Sequence, residues 1–579
     1  MPGSSPSLPS FSALALFTLA SSAPLAEAQV AGVSLGAPYP AATRGEAALA
    51  AWGDRLSVAA ERSETTVAAL EEVLRHDETA WLDDEGNLFF VDIPAERPDE
   101  STQFVSTIPS SQAFLLHSRP GASRTIYLDF TGHHSVHNKW GHDIVFPPFN
   151  FEGSSASFSE NELQSIIAHW QHIAEDYAPF DVDVTTEEPP LDRLIKSGGG
   201  DTQWGVRDVH TQATGGFGDG IGGVAYLNSF NDNQDNPVFT FNKGTINGSL
   251  SGSHEIGHSF GLHHDGNDSS SYHPGIGSGP TGWGPIMGAP FGKQLVQFNP
   301  GDYPNATNTE DDYAVIQQPT HGVALLSDTV GGTPQSAQAV SPSCPDLGTI
   351  AIDGRIESPS DRDAFAFASP GGPVTIAASP AVPGGNVDVR LELYGPAGTL
   401  LASNDPTNDV TASLSLPLGA GTHTVVVDGT GKSGVYSDYG SVGVYSITIS
   451  LPTASSFADA GGALAGATAP TLAGTGYGCA GTTVGLALAG APANVPAHLT
   501  YGVGAANLPF LGGTLVPNVF APGGGLVTLA TNGAGVLSLS APLPAAVPSA
   551  VSVHFQFWLP DAGGPQGFAA SNAVELALP

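Results

Sequence analysis

The sequence predicts a multidomain protein in which an α+β domain is followed by all-β sandwich or jelly-roll domains. The chain has 579 residues, which is enough for roughly three or four domains of ~150 residues each. From Arg124 onward a strand, a helix and then several strands precede one further helix, which favours an α+β arrangement. After about residue 340 the chain consists of short alternating apolar segments separated by Gly/Pro turns, a pattern typical of sandwiches.

The charge balance limits the possible partners. The chain carries 17 Lys+Arg against 55 Asp+Glu, a formal net charge of −38. Because phosphate groups would be repelled, this acidity argues against nucleic acid and against an anionic membrane surface. No segment after the N-terminal leader reaches the ~18 apolar residues of a membrane span. We therefore expect a soluble monomer whose partners are neutral or cationic.

The first residues are typical of a secretory signal. Residues 11–20 are apolar, and Ala26, Glu27 and Ala28 then form a small-residue cleavage pattern. We therefore predict a signal peptide over residues 1–28 and a secreted, extracellular protein. The alternative is an unstructured Ala/Ser/Pro leader, because the region before the apolar stretch lacks Lys and Arg.

Residues 29–118 are predicted to form a helical pro-segment or spacer. Residues 47–74 are rich in Ala, Glu and Leu, which indicates one or two amphipathic helices. A polar turn precedes residues 88–91, whose sequence Leu-Phe-Phe-Val is typical of a strand.

Residues 119–322 are predicted to form the α+β domain. Ser159 and Glu162 have the spacing of a capping box, so a helix should begin directly after Ser159. His169 and His172 fall on the polar face of that helix, where we expect them to be solvated.

Two β regions are predicted toward the C-terminal end, at residues 341–452 and 465–579. Residues 387–394 alternate apolar and polar side chains with a period of two, as a half-buried strand does. The second region is rich in Gly and Ala. The two cysteines, Cys344 and Cys479, fall in different regions, and the sequence leaves open whether they pair.

The distribution of the histidines indicates which part of the chain carries the functional site. Fourteen of the 18 lie between His117 and His321, and residues 254–264 contain the pattern H-E-x-x-H-x-x-G-x-x-H. On an α-helix, residues four apart differ by about 40° in direction and about 6 Å in height. His254 and His258 can therefore direct imidazole nitrogens at one metal ion. We expect this helix to follow a Gly/Ser-rich loop at residues 248–253.

The remaining motif residues complete a catalytic type of zinc site. Gly261 can adopt a left-handed conformation that ends the helix, and the resulting turn brings His264 to the metal as third ligand. Three imidazoles leave one zinc position open for water, whose proton Glu255 can accept. The chemistry expected of one such catalytic Zn²⁺ is hydrolysis of a peptide bond.

The motif and its surroundings resemble those of secreted bacterial metzincins, similar to reprolysin-like and matrixin-like zinc peptidases. The resemblance implies an α+β metzincin-like zincin catalytic domain that acts on proteins or peptides. Met287, within Pro-Ile-Met-Gly, resembles the Met-turn that lies beneath the three histidines in that clan. Gly223, Val224, Ala225 and Tyr226 resemble the family's edge strand, to which a substrate would add as a β-strand.

Residues 344–451 resemble the bacterial pre-peptidase C-terminal domain, a β-sandwich. The resemblance rests on residues 360–367 (SDRDAFAF) and 393–396 (LYGP). Matrixin-type latency places a pro-segment Cys on the zinc, but residues 29–118 contain no Cys. If this segment inhibits, it must act sterically or through a carboxylate.

Several alternatives stay open at the level of sequence. The chain could be a catalytically weak or inactive metzincin-fold protein that adheres to a surface through its β modules. It could also be a zinc hydrolase acting on a non-peptide amide. Residues 231–236 and 265–268 are rich in Asp and Asn and could bind Ca²⁺ through oxygen ligands, although no EF-hand pattern is present.

Overall fold

The protein is mostly β-sheet, with few helices and several separate sheets. The computed structural model describes residues 39–95, 106–152, 157–214, 217–342, 344, 348–380, 384–452, 456–544 and 550–578. The signal peptide predicted at residues 1–28 lies outside the described residues. The multi-sheet, multidomain-like character agrees with the sequence analysis, whereas the α+β metzincin-like catalytic domain stays a prediction.

The α-helices of the described residues lie in the first 320 positions. They are α1 (Gly45–Trp52), α2 (Leu56–Arg62), α3 (Val67–His76), α4 (Glu160–Asp176), α5 (Thr245–Ser259) and α6 (Asp312–Ile316). The strands of the same region are β1 (Ala42–Arg44), β2 (Ala80–Asp83), β3 (Leu88–Val91), β4 (Arg124–Asp129), β5 (His133–Asn138), β6 (Gly141–Phe146), β7 (Asp183–Thr185), β8 (Trp204–His210), β9 (Gly223–Tyr226), β10 (Val238–Thr240), β11 (Trp283–Pro285) and β12 (Leu295–Gln297).

One eight-stranded sheet organises this region, in the order β1-β2-β3-β9-β10-β8-β4-β7. Strands β10, β8, β4 and β7 are parallel, while β9 runs antiparallel to β10. Strand β3 continues the sheet by pairing antiparallel with β9, with Phe90 opposite Ala225. The helices and the strand expected between residues 47 and 91 are therefore present. The strand belongs to the central sheet, and the helices pack against it.

Both faces of the sheet are covered, which explains why strands such as β4, β8 and β9 are buried along their whole length. Helices α4 and α5 pack on one face through residues such as Ile167 and Ile256. The other face carries an aromatic cluster that includes Trp140, Phe217 and Phe239. Helices α1 to α3 form a further core with the inward side chains of β2 and β3.

Helix α4 begins with the capping box that the sequence predicts. The Glu162 amide donates to Ser159 Oγ at 3.1 Å, and the Ser159 amide donates to Glu162 Oε2 at 2.9 Å. The expectation that His169 and His172 are solvated is wrong, because both are buried. A second layer covers the polar face of α4, and helical periodicity does not reveal such a layer.

The Gly/Ser stretch before the motif is helical, so the prediction of a loop at residues 248–253 is wrong. Helix α5 begins at Thr245 and includes this stretch. Small side chains are required there because α5 approaches its neighbours closely. A Cβ at Gly248 would lie 2.4 Å from His169 Nε2, and one at Gly252 would lie 2.8 Å from Asp208 Oδ2. Close packing outweighs the helix-weakening effect of glycine.

A two-sheet arrangement follows, with sheet orders β13-β15-β20-β17-β18 and β14-β21-β16-β19. Its strands are β13 (Gln338–Ala339), β14 (Thr349–Ile356), β15 (Arg362–Ser369), β16 (Gly372–Pro380), β17 (Val389–Tyr394), β18 (Leu400–Asn404), β19 (Ala412–Leu418), β20 (Gly421–Gly429) and β21 (Gly443–Ser450). The inward residues of both sheets belong to one buried cluster, as expected of a β-sandwich.

The last region is also β-structured, as the sequence predicts. Its strands are β22 (Phe457–Gly461), β23 (Thr471–Thr475), β24 (Thr483–Ala489), β25 (Pro496–Val503), β26 (Ala505–Phe510), β27 (Gly513–Pro517), β28 (Gly525–Ala530), β29 (Leu537–Pro542), β30 (Val551–Pro560), β31 (Phe568–Ala570) and β32 (Ala573–Leu578). A disulfide between Cys344 and Cys479 ties this region to the start of the sandwich, which answers the question the sequence left open.

The sandwich packs directly against the central region. At the end of α4, Glu175 Oε1 accepts a hydrogen bond from the Val444 amide at 3.0 Å, and Asp176 Oδ1 accepts one from Asn386 Nδ2 at 2.8 Å. Both carboxyl groups are buried. Burial raises the pKa of Glu175 to about 8 and that of Asp176 to about 7. This interface therefore favours neutral carboxyl groups.

No helix among the residues described has both the length and the apolar character that crossing a membrane requires.

The Glu175 carboxyl makes stability depend on pH. Because its pKa is raised in the folded protein, its neutral form stabilises the fold at low pH, and this contribution is lost as pH rises through about 8. We expect Glu175→Gln, which is neutral at every pH, to raise Tm by about 2 °C or more at pH 9 and to change it little at pH 5. Differential scanning calorimetry at the two pH values measures this. The exposed Glu61→Gln is the control and should shift Tm at neither pH.

Candidate metal centre

Helix α5 places two motif histidines one turn apart. His254 and His258 are both buried, and the helix ends at Ser259. Gly261 then adopts φ +94°, and a Cβ there would lie 2.2 Å from Asn228 Oδ1. Glycine is therefore required both for the backbone turn and for space. This turn directs the chain so that His264 faces back toward α5.

The three imidazoles are oriented by hydrogen bonds at Nδ1. His254 Nδ1 lies 2.8 Å from the Ile286 carbonyl, and His258 Nδ1 lies 2.7 Å from the Leu262 carbonyl. His264 Nδ1 lies 2.6 Å from Asp77 Oδ2. Since carbonyl and carboxylate oxygens only accept, Nδ1 donates in each case, and in the neutral rings Nε2 carries a lone pair. Such partners are typical of histidines that bind a metal.

The three Nε2 atoms converge on one place together with the Asp92 carboxylate. One ligand atom from each of these four buried residues lies within 4.8 Å of all the others. His258 Nε2 and His264 Nε2 are 3.0 Å apart. His254 Nε2 and Asp92 Oδ2 are 3.1 Å apart, yet neither forms a hydrogen bond of good geometry. Three imidazole nitrogens and a carboxylate that converge at these distances form a donor set that suits a divalent cation.

Two of the residues at this centre were not predicted from the sequence. Asp77 caps the C-terminal end of α3, and Asp92 directly follows β3. Both are distant from the motif in sequence and belong to no recognisable spacing. The only signal for Asp92 was its place at the end of a predicted strand, within a segment that, if inhibitory, was expected to act sterically or through a carboxylate.

Glu255 lies beside the convergence point and is held there by close packing. Its side chain is buried, and its Oε2 has no hydrogen-bonding partner. A Cβ at Gly223 would lie 1.9 Å from Glu255 Oε1, so only glycine leaves room for the carboxyl beneath β9. Burial, and then the charge of Asp92, raises the pKa of Glu255 well above its usual value. A buried carboxyl of this kind is suited to exchanging a proton.

Burial and the nearby carboxylates shift the pKa values of two of the histidines in opposite directions. Burial lowers the pKa of His258 to about 4. Burial would also lower the pKa of His264, but the Asp77 and Asp92 carboxylates raise it to about 10. Positive charge is thus favoured on His264, which contacts both carboxylates.

Met287 packs against the helix that carries the motif. It is fully buried, and its Sδ lies 2.5 Å from the position of a Cβ at Gly257. Its carbonyl accepts a hydrogen bond from the Asp265 amide at 2.8 Å. Met287 therefore supports the backbone on both sides of the histidine cluster, while its role as a Met-turn stays a prediction.

The proposed substrate strand forms, but it is not an edge. Gly223, Val224, Ala225 and Tyr226 make up β9 and are all buried. The side of β9 expected to be free is paired with β3. The sequence pattern identified the strand correctly and missed that the chain's own N-terminal part covers it.

The two stretches considered for Ca²⁺ have other partners. Asp232 pairs with Lys139 at 2.8 Å, and Asp235 pairs with Arg207 at 3.0 Å. Asp265 accepts a hydrogen bond from Asn299 Nδ2 at 2.6 Å. These contacts leave calcium without structural support.

Comparison with known proteins adds little to the geometry. No family model and no curated protein matches the chain. The chain is weakly similar to the pre-peptidase C-terminal domain of a collagenase from Bacillus anthracis, with 11% identity over 20% of this chain and 95% of that one and a TM-score of 0.15. It is also similar to PliG, a periplasmic inhibitor of g-type lysozyme from Aeromonas hydrophila, with 13% identity over 19% and 92% of the two chains and a TM-score of 0.15. A β-glucuronidase from Bifidobacterium dentium shows 11% identity over 38% and 39%, with a TM-score of 0.13. Likenesses this slight carry no argument about function.

The contact between Gly257 and Met287 can be tested by substitution. In an unconstrained helix, Gly→Ala is stabilising by up to ~1 kcal/mol. At Gly257 the added methyl group must displace Met287, so we expect Gly257→Ala to destabilise the fold by about 1–3 kcal/mol. Urea unfolding measures the change. Gly200→Ala is the control, because no atom lies within 4 Å of its added Cβ. Equal or greater stability of Gly257→Ala would contradict the packing described.

Proposed function

We propose that the chain is a secreted, zinc-dependent endopeptidase of the metzincin type. The observation that carries the proposal is the convergence of three imidazole Nε2 atoms beside the buried carboxyl of Glu255. Their Nδ1 atoms are all engaged elsewhere. A cation between the three Nε2 atoms would satisfy them together. Because all three are nitrogens, the donor set suits zinc better than calcium or magnesium.

His254, His258 and His264 would hold one Zn²⁺. When bound, the metal would acidify a water molecule and polarise the carbonyl of the scissile bond. The Nδ1 hydrogen bonds to Ile286, Leu262 and Asp77 fix the ring orientations and keep the ligand tautomers in place.

Glu255 would act as the catalytic residue that moves the proton. Its carboxylate accepts a proton from the attacking water and then delivers it to the nitrogen of the leaving amine, so that the peptide bond is hydrolysed without net consumption of a proton. The raised pKa of Glu255 supports the first step, because a carboxylate with a higher proton affinity is a stronger base toward the attacking water.

A peptide is the substrate class that the surroundings favour. An extended peptide would pair with the main-chain groups of β9 that β3 occupies in the intact chain, as in β-strand addition. Beside Glu255 and His254 lies a cleft with apolar lining from Leu250, Ile286 and Phe291. Such a lining would favour an apolar side chain of an extended peptide.

The role of Glu255 is tested by Glu255→Gln in the full-length chain. We expect both proteins to bind one zinc per chain, because Glu255 is not a ligand. Casein hydrolysis should fall at least ~100-fold in the variant, because the proton acceptor is lost. Zinc content is measured by atomic emission, and hydrolysis is measured before and after limited trypsin treatment that is stopped with a trypsin inhibitor.

The exposed Glu188→Gln serves as the matched control and should hydrolyse casein like the wild type. Hydrolysis that persists in Glu255→Gln, or that survives a chelator, would contradict the mechanism. One zinc per chain without hydrolysis in any sample would instead favour an inactive, surface-binding protein.

A further inference from the structure

We propose that the N-terminal segment (residues 42–92) is a built-in inhibitor of the metal centre and that Asp92 is its fourth metal ligand. This inference rests on the proposed function, since it concerns the regulation of the same site. It predicts that the intact chain holds its metal in a closed, inactive form.

The position of the Asp92 carboxylate carries the argument. Its Oδ2 lies 3.1 Å from His254 Nε2 and 3.5 Å from His258 Nε2, and its Oδ1 lies 3.2 Å from His264 Nε2. Three imidazoles leave one position open in a tetrahedral zinc site, and a carboxylate oxygen is a normal zinc ligand. The carboxylate therefore stands where the attacking water is required.

Backbone hydrogen bonds hold Asp92 in that place. The Asp92 amide donates to the Gly223 carbonyl at 3.0 Å, and the Asp92 carbonyl accepts from the Gly222 amide at 2.8 Å. The Tyr272 hydroxyl donates to Asp92 Oδ1 at 2.8 Å. The Ala95 amide continues the path by donating to Asn242 Oδ1 at 3.0 Å. The carboxylate is thus positioned by groups on both sides of the cleft.

The same segment occupies the strand that a substrate would use. Strand β3 pairs antiparallel with β9, with Phe89 opposite Tyr226 and Val91 opposite Val224. A peptide substrate that adds to β9 needs the same amide and carbonyl groups. Substrate and N-terminal segment are therefore mutually exclusive on β9.

Aromatic and polar contacts close the site further. The Phe90 ring stacks on His258, with centroids 4.3 Å apart, and lies 4.7 Å from His264. Asp77, from the same segment, is the residue that orients His264. The segment thus covers the histidines and orients His264. Metal binding is therefore coupled to the presence of the segment.

A thiol cannot perform this blocking role here. The chain has two cysteines, and they are joined to each other in the disulfide between the sandwich and the last region. The carboxylate of Asp92 is the group that the N-terminal segment presents to the Nε2 atoms of the histidines.

The test uses the full-length chain loaded with Co²⁺, which reports on its ligands through its visible spectrum. In Asp92→Ala the loss of a carboxylate ligand should change the spectrum. Acetohydroxamic acid, a small metal-binding probe, should then bind at least about tenfold more tightly than to the wild type, because the fourth position is open.

Asp92→Asn is a second variant that keeps the side-chain shape, and it should show the same trend. Asp84→Ala, in an exposed turn of the same segment, is the control and should behave like the wild type.

The outcomes separate this inference from the proposed function. If the metal binds but the spectrum and the hydroxamate affinity are identical in wild type and both Asp92 variants, Asp92 is not a ligand and the inference is wrong. If the variants open the site but no sample hydrolyses casein after trypsin treatment, the inference stands and the peptidase function fails. If the folded wild type binds no Co²⁺ at all, both fail.

Discussion

The convergence of three imidazoles and one carboxylate at a single buried point is the constraint on which the rest of the structure depends. Polar groups withdrawn from water must find partners, or the fold loses several kcal/mol for each of them. The protein meets this requirement at Nδ1 of His254, His258 and His264 with an oxygen acceptor for each ring. It leaves the Nε2 atoms facing one another, an arrangement that is favourable when a cation lies between them.

Much of the surrounding architecture follows from that requirement. Gly261 turns the chain so that the third imidazole reaches the other two, and Gly223 leaves space for Glu255 beneath β9. Gly257 lets Met287 approach the helix, and Gly248 and Gly252 let that helix lie close to α4 and β8. The glycines around α5 thus serve close approach.

Local sequence was sufficient for those features whose causes are local. The capping box before α4, the helical spacing of His254 and His258, and the strand at residues 88–91 were all predictable, because neighbouring residues determine them. Contacts between distant segments were not predictable. Burial of His169, the position of Asp92 and the covering of β9 by β3 each depend on which segments pack together, and a single sequence carries no periodic signal for such pairing.

The identity of the atoms around one metal ion decides both the proposed function and its regulation. The most direct measurement is the zinc-edge X-ray absorption spectrum of the full-length chain purified with its metal. We expect three imidazole nitrogens at ~2.0–2.1 Å and one carboxylate oxygen at ~2.0–2.2 Å, in a four-coordinate site. Coordination by oxygens alone, or a folded chain that retains no zinc, would contradict both proposals.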